Sequence, residues 1–311
     1  MSTAFAISFG WDDPTARTVA VGLAALGAVA GALGTFAVVR RQSLMGDAIS
    51  HAALPGIALA YLFGGRSPAV LVVGAIAAGW LAMSLVGGIV RRGRIPFDTA
   101  LAGALAVFFG LGLLLMTYMQ DLAARPPANA LERLVFPIGT APDLSTYLFG
   151  QAAFLRADQL NAIFLLGGGA VLLAVVFWKE FKLLSFDTDF AASLGFPTRA
   201  LDLLLTTLIV AAVVVGLQAV GVVLMSALLV APPVAARLWT DRLGRVAALA
   251  AVFGAAAGVF GEWLSRELGE PRRAVPTGPT VVIVATAVVA VSLPVAPWVR
   301  RRVTRTAPES A

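Results

Sequence analysis

The 311-residue chain has no cysteine, one histidine and two lysines, and only 13% of its residues are charged. Without cysteine there is no disulfide framework, no thiolate metal site and no C-x-x-C chemistry, and cysteine usage does not indicate a redox compartment. A single histidine, His51, excludes the H-E-x-x-H zinc motif, and no G-x-S-x-G occurs. Ser50 is adjacent to His51, and neighbouring helical residues do not face each other as a catalytic pair. Lys179 and Lys182 are the only lysines and neither follows a glycine, so no G-x-x-x-x-G-K-[ST] loop is present to cradle ATP. The chain is read as a non-enzyme.

Apolar residues dominate instead. They make up 59% of the sequence, and the mean hydropathy is +0.89. Runs of 18 or more apolar residues recur, each able to cross a hydrocarbon core about 30 Å thick, which predicts an all-α, polytopic integral membrane protein. Expected spans lie near 18–39, 43–63, 68–90, 99–119, 159–178, 201–217, 219–236, 243–264 and 279–299. The sixth and seventh form one continuous apolar stretch without a polar loop, readable as a tight hairpin or as a broken, partly re-entrant segment. Eight or nine transmembrane helices follow, nine being preferred, in a single transmembrane domain over residues 1–311.

The net charge of +6 comes from short basic clusters between apolar runs, which act as topology signals rather than a nucleic-acid surface. With the N-terminus outside, the inner side collects Arg40, Arg41, Arg91, Arg92, Arg94, Lys179, Lys182, Arg199, Arg237, Arg242, Arg245, Arg300, Arg301, Arg302 and Arg305. That arrangement satisfies the positive-inside rule and puts the C-terminus in the cytoplasm. Asp12 and Asp13 precede the first apolar run and Arg40 and Arg41 follow it, so the run is read as a span rather than a cleavable leader. The connection 120–158, with Pro126, Pro127, Pro137 and Pro142, is expected to be an irregular or interfacial external segment. Residues 179–200 form an inner loop.

Within the second span, GDAISHAALPG (46–56) places Asp47 four residues before His51, on one helical face and about 6 Å apart along the axis. An ionisable residue at that depth costs at least about 2.5 kcal/mol on insertion scales, so it calls for a partner or an aqueous path. Pro55 lacks the N–H that would bond the carbonyl of residue 51, which leaves that carbonyl free beside the imidazole. Two readings stand: a pair that satisfies itself inside the bundle, or a transition-metal site. Mixed imidazole and carboxylate donors suit manganese, iron or zinc. Two ligands do not complete a shell, so water, backbone or a second subunit must add the rest.

RRQSLMGDAISHAALPGIALAYLFGG (40–65) resembles the signature of permease subunits of manganese/zinc/iron-type ATP-binding-cassette importers. FDTALAGALAVFFGLGLLL (97–115), YLFGQ (147–151), SFDTDFAASLGFP (185–197), LQAVGVVLMSALLVAPPVAA (217–236) and PTGPTVVIV (276–284) resemble later landmarks of that family, in its order. The resemblance covers roughly residues 18–299. A Pro/Ala-rich stretch around 122–142 and the arginine-rich tail after Trp298 depart from the pattern, and nothing functional is carried to either.

The resemblance implies one half of a transmembrane pathway in a bacterial plasma (inner) membrane. Two permease subunits, identical or related, would work with two cytoplasmic ATPases and an external solute-binding protein that delivers the divalent cation. No permanently bound cofactor is implied; the metal is cargo. Asp47 and His51 match family positions implicated in metal passage, and two facing copies would supply two carboxylates and two imidazoles. SFDTDFAASLGFP resembles the coupling helix that fits a groove on the ATPase, implicating Phe186, Asp187, Phe190, Ala191, Leu194 and Gly195. Read from its residues alone, the same segment is a short loop helix capped by Asp187, with Asp189 near its positive end and Gly195 and Pro197 ending it.

Other polar residues have a structural and a functional reading. Gln218 and Ser226 sit at membrane depth and either bond neighbouring helices or line a pathway. Ser50 and Ser226 each precede a proline by five or six residues, a faint internal repeat. Glu262, with Ser265 nearby, either is a solvated helix-end glutamate or guides cations. Asp98 and Asp202 are expected to complement helix N-termini, and Pro276, Gly278 and Pro279 to form a rigid outer turn. The competing functional class is a secondary carrier exchanging metal for protons or sodium, with Asp47 and His51 as a relay.

Overall fold

Lipid offers no hydrogen bonds, so each apolar run must satisfy its own backbone, and the helix does this within one segment. The computed structural model describes residues 14–64, 67–93, 95–124, 155, 157–269 and 275–305, and every regular element among them is a helix. The first four are α1 (Pro14–Val39), α2 (Met45–Gly64), α3 (Pro68–Arg92) and α4 (Phe97–Ala124). Residues 157–176 form α5, in which α-helical Ala157–Ala162 and Gly168–Val176 join through a π turn at Ile163–Gly167. Two short helices, α6 (Trp178–Phe186) and α7 (Thr188–Ser193), lead to α8 (Thr198–Val220), α9 (Val222–Trp239), α10 (Leu243–Glu267) and α11 (Thr277–Arg305). YLFGQ and the prolines at 126, 127, 137 and 142 lie outside the described residues.

Eight of these helices are long and apolar enough to cross a membrane. The remaining long helix, α2, has 20 residues and a length of roughly 30 Å. It falls short only in apolarity, because Asp47, Ser50 and His51 occupy its first half. The polytopic all-α architecture expected from the sequence is what forms.

The core centres on α1, α8 and the middle of α2. Leu23, Leu33 and Phe36 of α1, Ile49, Leu54 and Ile57 of α2, and Leu205, Val213 and Leu217 of α8 are all buried in one cluster. The outer helices turn apolar side chains outward: Leu81 and Leu85 of α3, Val107 and Leu114 of α4, Leu165 and Leu172 of α5, Ile283 and Val291 of α11. A soluble protein would not tolerate that surface; a bilayer supplies its solvent.

Helix association in lipid depends on close packing more than on hydrophobicity, and the most extensive contact, α1 against α10, shows how this chain achieves it. Gly27 and Gly31 of α1 lie against Gly254 and Ala250 of α10, and a methyl on Gly27 or Gly254 would overlap the other's carbonyl. Gly56 of α2 and Gly74 of α3 meet in the same way.

The long apolar stretch after residue 200 divides at a single residue. Gly221 has φ 85° and ψ 170°, a conformation open essentially to glycine alone, and it separates two helices that each qualify as spans. From there α9 turns to α1, α10 and α11 and touches α8 little. The outer turn expected at 276–279 is shorter than the sequence implied, because Gly278 and Pro279 already belong to the first turn of α11. Proline tolerates that place, where its missing N–H has no helical partner.

Gly254→Leu should force α1 and α10 apart at a cost of about 2–3 kcal/mol, lowering the melting temperature of the detergent-purified protein by about 5 °C. Gly103→Ala, at a position with open space around the added methyl, should leave it unchanged. Equal melting curves for both variants would show that the α1–α10 approach is not tight.

Candidate functional site

The entry into α2 is fixed by the end of α1. Arg41 adopts φ 57°, its N–H donates to the Val38 carbonyl (3.1 Å), and the Gln42 N–H donates to the Ala37 carbonyl (2.8 Å). This is a Schellman closure with arginine at the left-handed position usually given to glycine. It turns the chain within a few residues, so that Asp47 falls in the first turn of α2.

Four residues on, His51 Nε2 lies 3.4 Å from Asp47 Oδ1. Their side chains are 18% and 41% exposed, so the imidazole is mostly enclosed while the carboxylate opens off the chain. Phe109 of α4 packs against the imidazole with ring centroids 4.7 Å apart and planes at 74°. His51 Nδ1 and Ser50 Oγ are both buried without a hydrogen-bond partner among the described residues. Leaving such groups unmet costs about 1–3 kcal/mol each, and native proteins seldom keep them without a purpose. The helix runs unbroken through Pro55, whose ring is buried and close to Gly112 of α4.

The arrangement is chemically specific. Two donors each about 2.1 Å from a metal ion sit about 3.4 Å apart at the tetrahedral angle, which is the separation found. No group of three or more His, Cys, Asp or Glu side chains that could hold a metal occurs among the described residues. Among the described residues this site therefore brings together two such side chains, of which Asp47 is the more exposed.

The other polar residues singled out in the sequence divide. Ser226 donates to the carbonyls of Val222 (3.0 Å) and Val223 (3.3 Å) of its own helix, so its hydroxyl is occupied locally. The backbone carbonyl of Gln218 accepts from Gln159 Nε2 of α5 (3.3 Å). Glu262 is not a solvated helix-end glutamate: it is 4% exposed and held by both the Nε (2.6 Å) and Nη2 (3.2 Å) of Arg266. Ser265 is also buried; it donates to the Val275 carbonyl (2.7 Å) and shares a hydrogen bond with Thr277, which ties α10 to the start of α11. Asp98 stands in the first turn of α4 as expected. Asp202 does not complement the first turn of α8; it lies one turn further in and pairs with Arg40 from the α1–α2 connection.

Between α6 and α8, Asp187 caps α7 by accepting from the Phe190 N–H (2.8 Å), and Gly195, with φ 82°, ends the turn. Phe186, Phe190 and Leu194 are each more than half exposed. Ala191 is buried against its own chain, so it supports the apolar stripe from beneath rather than forming part of its face. Sequence reasoning passed over Phe109, which lay unremarked within FDTALAGALAVFFGLGLLL, and it weighed Ser50 only as a rejected catalytic partner and as half of a faint repeat, not as part of the α2 site.

The ABC 3 transport family matches residues 12–296. The zinc transport system membrane protein TroC of Treponema pallidum (strain Nichols) is 41% identical over 302 residues, covering 94% of this chain and 95% of that protein. The manganese transport system membrane protein MntC of Bacillus subtilis (strain 168) is 40% identical over 285 residues, covering 91% of this chain; the match spans 61% of that longer protein. Among solved structures, PsaBC from Streptococcus pneumoniae in complex with Fab superposes with a TM-score of 0.72 at 29% identity, over 90% of this chain and 91% of that one.

Asp187→Ala should remove the cap and cost α7 about 1 kcal/mol, while Asp187→Asn should retain it. Amide hydrogen exchange across residues 188–194 should quicken about fivefold in the alanine variant alone. Equal exchange in both would mean that packing, not the cap, holds the turn.

Proposed function

Because the chain belongs to the ABC 3 transport family, we propose that it is the permease subunit of an ATP-driven importer of divalent transition metal ions, with manganese and zinc as the foremost cargo. Both metals are taken from the names of its relatives; iron, also within the chemistry of the donors, is implied by the resemblance alone. The carrying observation is the Asp47–His51 pair at 3.4 Å, half open to the outside of the chain and set in a helix of spanning length.

In this reading two permease subunits face each other across the path, and each contributes a carboxylate and an imidazole to complete a four-ligand shell. An external solute-binding protein delivers the ion. The ion exchanges hydration water for the Asp47 oxygen and His51 Nε2, which neutralises part of its charge and lowers the cost of leaving water. Phe109 holds the ring edge-on, so Nε2 keeps its aim as the ion arrives. Among the described residues each chain brings two ligands to the site, a shell shared between subunits that can open for release.

Hydrolysis belongs to a separate cytoplasmic ATPase pair, since neither lysine of this chain sits in a P-loop. The exposed Phe186, Phe190 and Leu194 dock into it, and α7 leads directly into α8. Gln218 lies beside the Gly221 break and remains a candidate pathway residue; Ser226 and Glu262, whose polar groups are engaged within the chain, are weaker ones. Membership of this family leaves the secondary carrier without support.

Asp47→Ala and His51→Ala should each abolish metal uptake by the assembled transporter while membrane insertion and ATPase association persist. Uptake unchanged in both would return the pair to a structural role. Phe190→Asp should instead release the ATPase during co-purification and leave insertion intact; retained ATPase would remove the stripe from the docking surface.

A further inference from the structure

A cleft walled in part by arginines lies apart from Asp47 and His51, neither of which lines it. It encloses about 960 Å³ between the C-terminal end of α3 and the N-terminal end of α8, and its charged lining is Arg91, Arg92, Arg199 and Asp202. Arg40, which does not line the cleft, engages the Asp202 carboxylate. The one acid is thereby neutralised and three arginines remain, with no ion-pair partner among the described residues. A divalent cation would be repelled, so the cleft is no exit for the cargo.

Two features indicate what it holds. Arginines at the end of a spanning helix ordinarily reach outward to water. Arg91 instead folds back over Gly87, one turn inside, where an added methyl would lie 3.3 Å from Nη1. The guanidinium is thus directed into the cleft, and the absence of a side chain at Gly87 makes its room. Second, Leu81, Leu85 and Ile89 run along α3 from the cleft toward the bilayer interior and are each about half exposed. A soluble anion needs no such stripe, and a cytoplasmic protein cannot reach up to three turns into the hydrocarbon.

We propose that this cleft binds the phosphate of an anionic phospholipid through Arg91, Arg92 and Arg199, with an acyl chain lying along Leu85 and Leu81. Guanidinium groups match phosphate oxygens in geometry as well as charge. The inner leaflet is where anionic lipid meets basic residues next to a span. The site rests on the orientation that puts the end of α3 inside, and it does not depend on the nature of the cargo.

Native mass spectrometry of the purified full-length chain, titrated with phosphatidylglycerol or phosphatidylcholine, tests it. Phosphatidylglycerol should bind preferentially, and Arg91→Gln, Arg92→Gln and Arg199→Gln should each weaken it about fivefold. The corresponding lysine variants should keep most of the binding, which separates lost charge from lost folding. Leu85→Trp, which fills the acyl track without touching the arginines, should also weaken it. Three results would overturn the proposal: undiminished phosphatidylglycerol binding in the combined glutamine variant, thermal stabilisation by inorganic phosphate equal to that by the lipid, or a glutamine variant that loses the ATPase but not the lipid. Orientation has its own readout, since the chain lacks cysteine: Gly93→Cys should react with an impermeant maleimide from the cytoplasmic side only, and labelling from outside would sink the topology instead.

Discussion

The bundle depends on how closely two helices approach when the solvent is as apolar as their side chains. Burial of leucine from lipid gains little, so cohesion comes from backbone-to-backbone contact, and this requires residues without bulk at the crossing points. Gly27 and Gly31 against Gly254 and Ala250 meet that requirement for α1 and α10, and Gly56 against Gly74 meets it for α2 and α3. The second crossing matters for the proposed function because it seats the helix that carries Asp47 and His51. Gly112 lets α4 approach α2 near Pro55, which brings Phe109 to the imidazole.

Within that frame, polar groups are treated in two distinct ways. Most are closed off locally. Thr35 and Ser226 bond carbonyls of their own helices, Thr280 donates to the Gly261 carbonyl across to α10, and Glu262 is clasped by Arg266. The stretch 47–51 does the opposite. It holds a half-exposed carboxylate beside His51 Nε2, together with an imidazole Nδ1 and a serine hydroxyl that lack hydrogen-bond partners among the described residues, all within little more than one turn. A fold able to satisfy Ser265 twice had the means to satisfy these, and the contrast sets the groups that hold helices together apart from those proposed to meet the metal.

Much of this was legible in the residues. Apolar run length predicts helices that cross a bilayer, and the i, i+4 spacing of Asp47 and His51 predicts their shared face. The Asp187 cap and the Gly195 stop were equally readable, because each acts over three or four residues. What stayed hidden depends on contacts distant in sequence. Glu262 looks solvated in the sequence, since nothing there says that α11 covers the end of α10. Asp202 looks like a dipole partner because Arg40 lies 162 residues away. Ala191 reads as part of an outward stripe when taken with its neighbours, and only packing shows which side of α7 is covered. The Gly221 break was ambiguous for a subtler reason: glycine marks both tight turns and close helix contacts, and only its φ and ψ decide between them.

The Arg40–Asp202 pair joins these observations into one mechanical argument. Asp202 sits one turn into α8, directly after the stripe proposed to meet the ATPase, while Arg40 begins the Schellman turn that sets the start of α2. With Arg40 16% and Asp202 38% exposed, this part-buried ion pair is screened less than a fully surface one. Displacement of α7 therefore has a short, stiff route to Asp47: through α8, across the ion pair and around a turn fixed by two backbone hydrogen bonds. Arg41 strengthens the case, because holding a non-glycine residue at positive φ costs free energy that a slack connection would have no reason to retain. The arginines at the end of the first span thus have a structural role in addition to the topological one expected of them. They fix the geometry between the segment proposed to meet the ATPase and the proposed metal ligands.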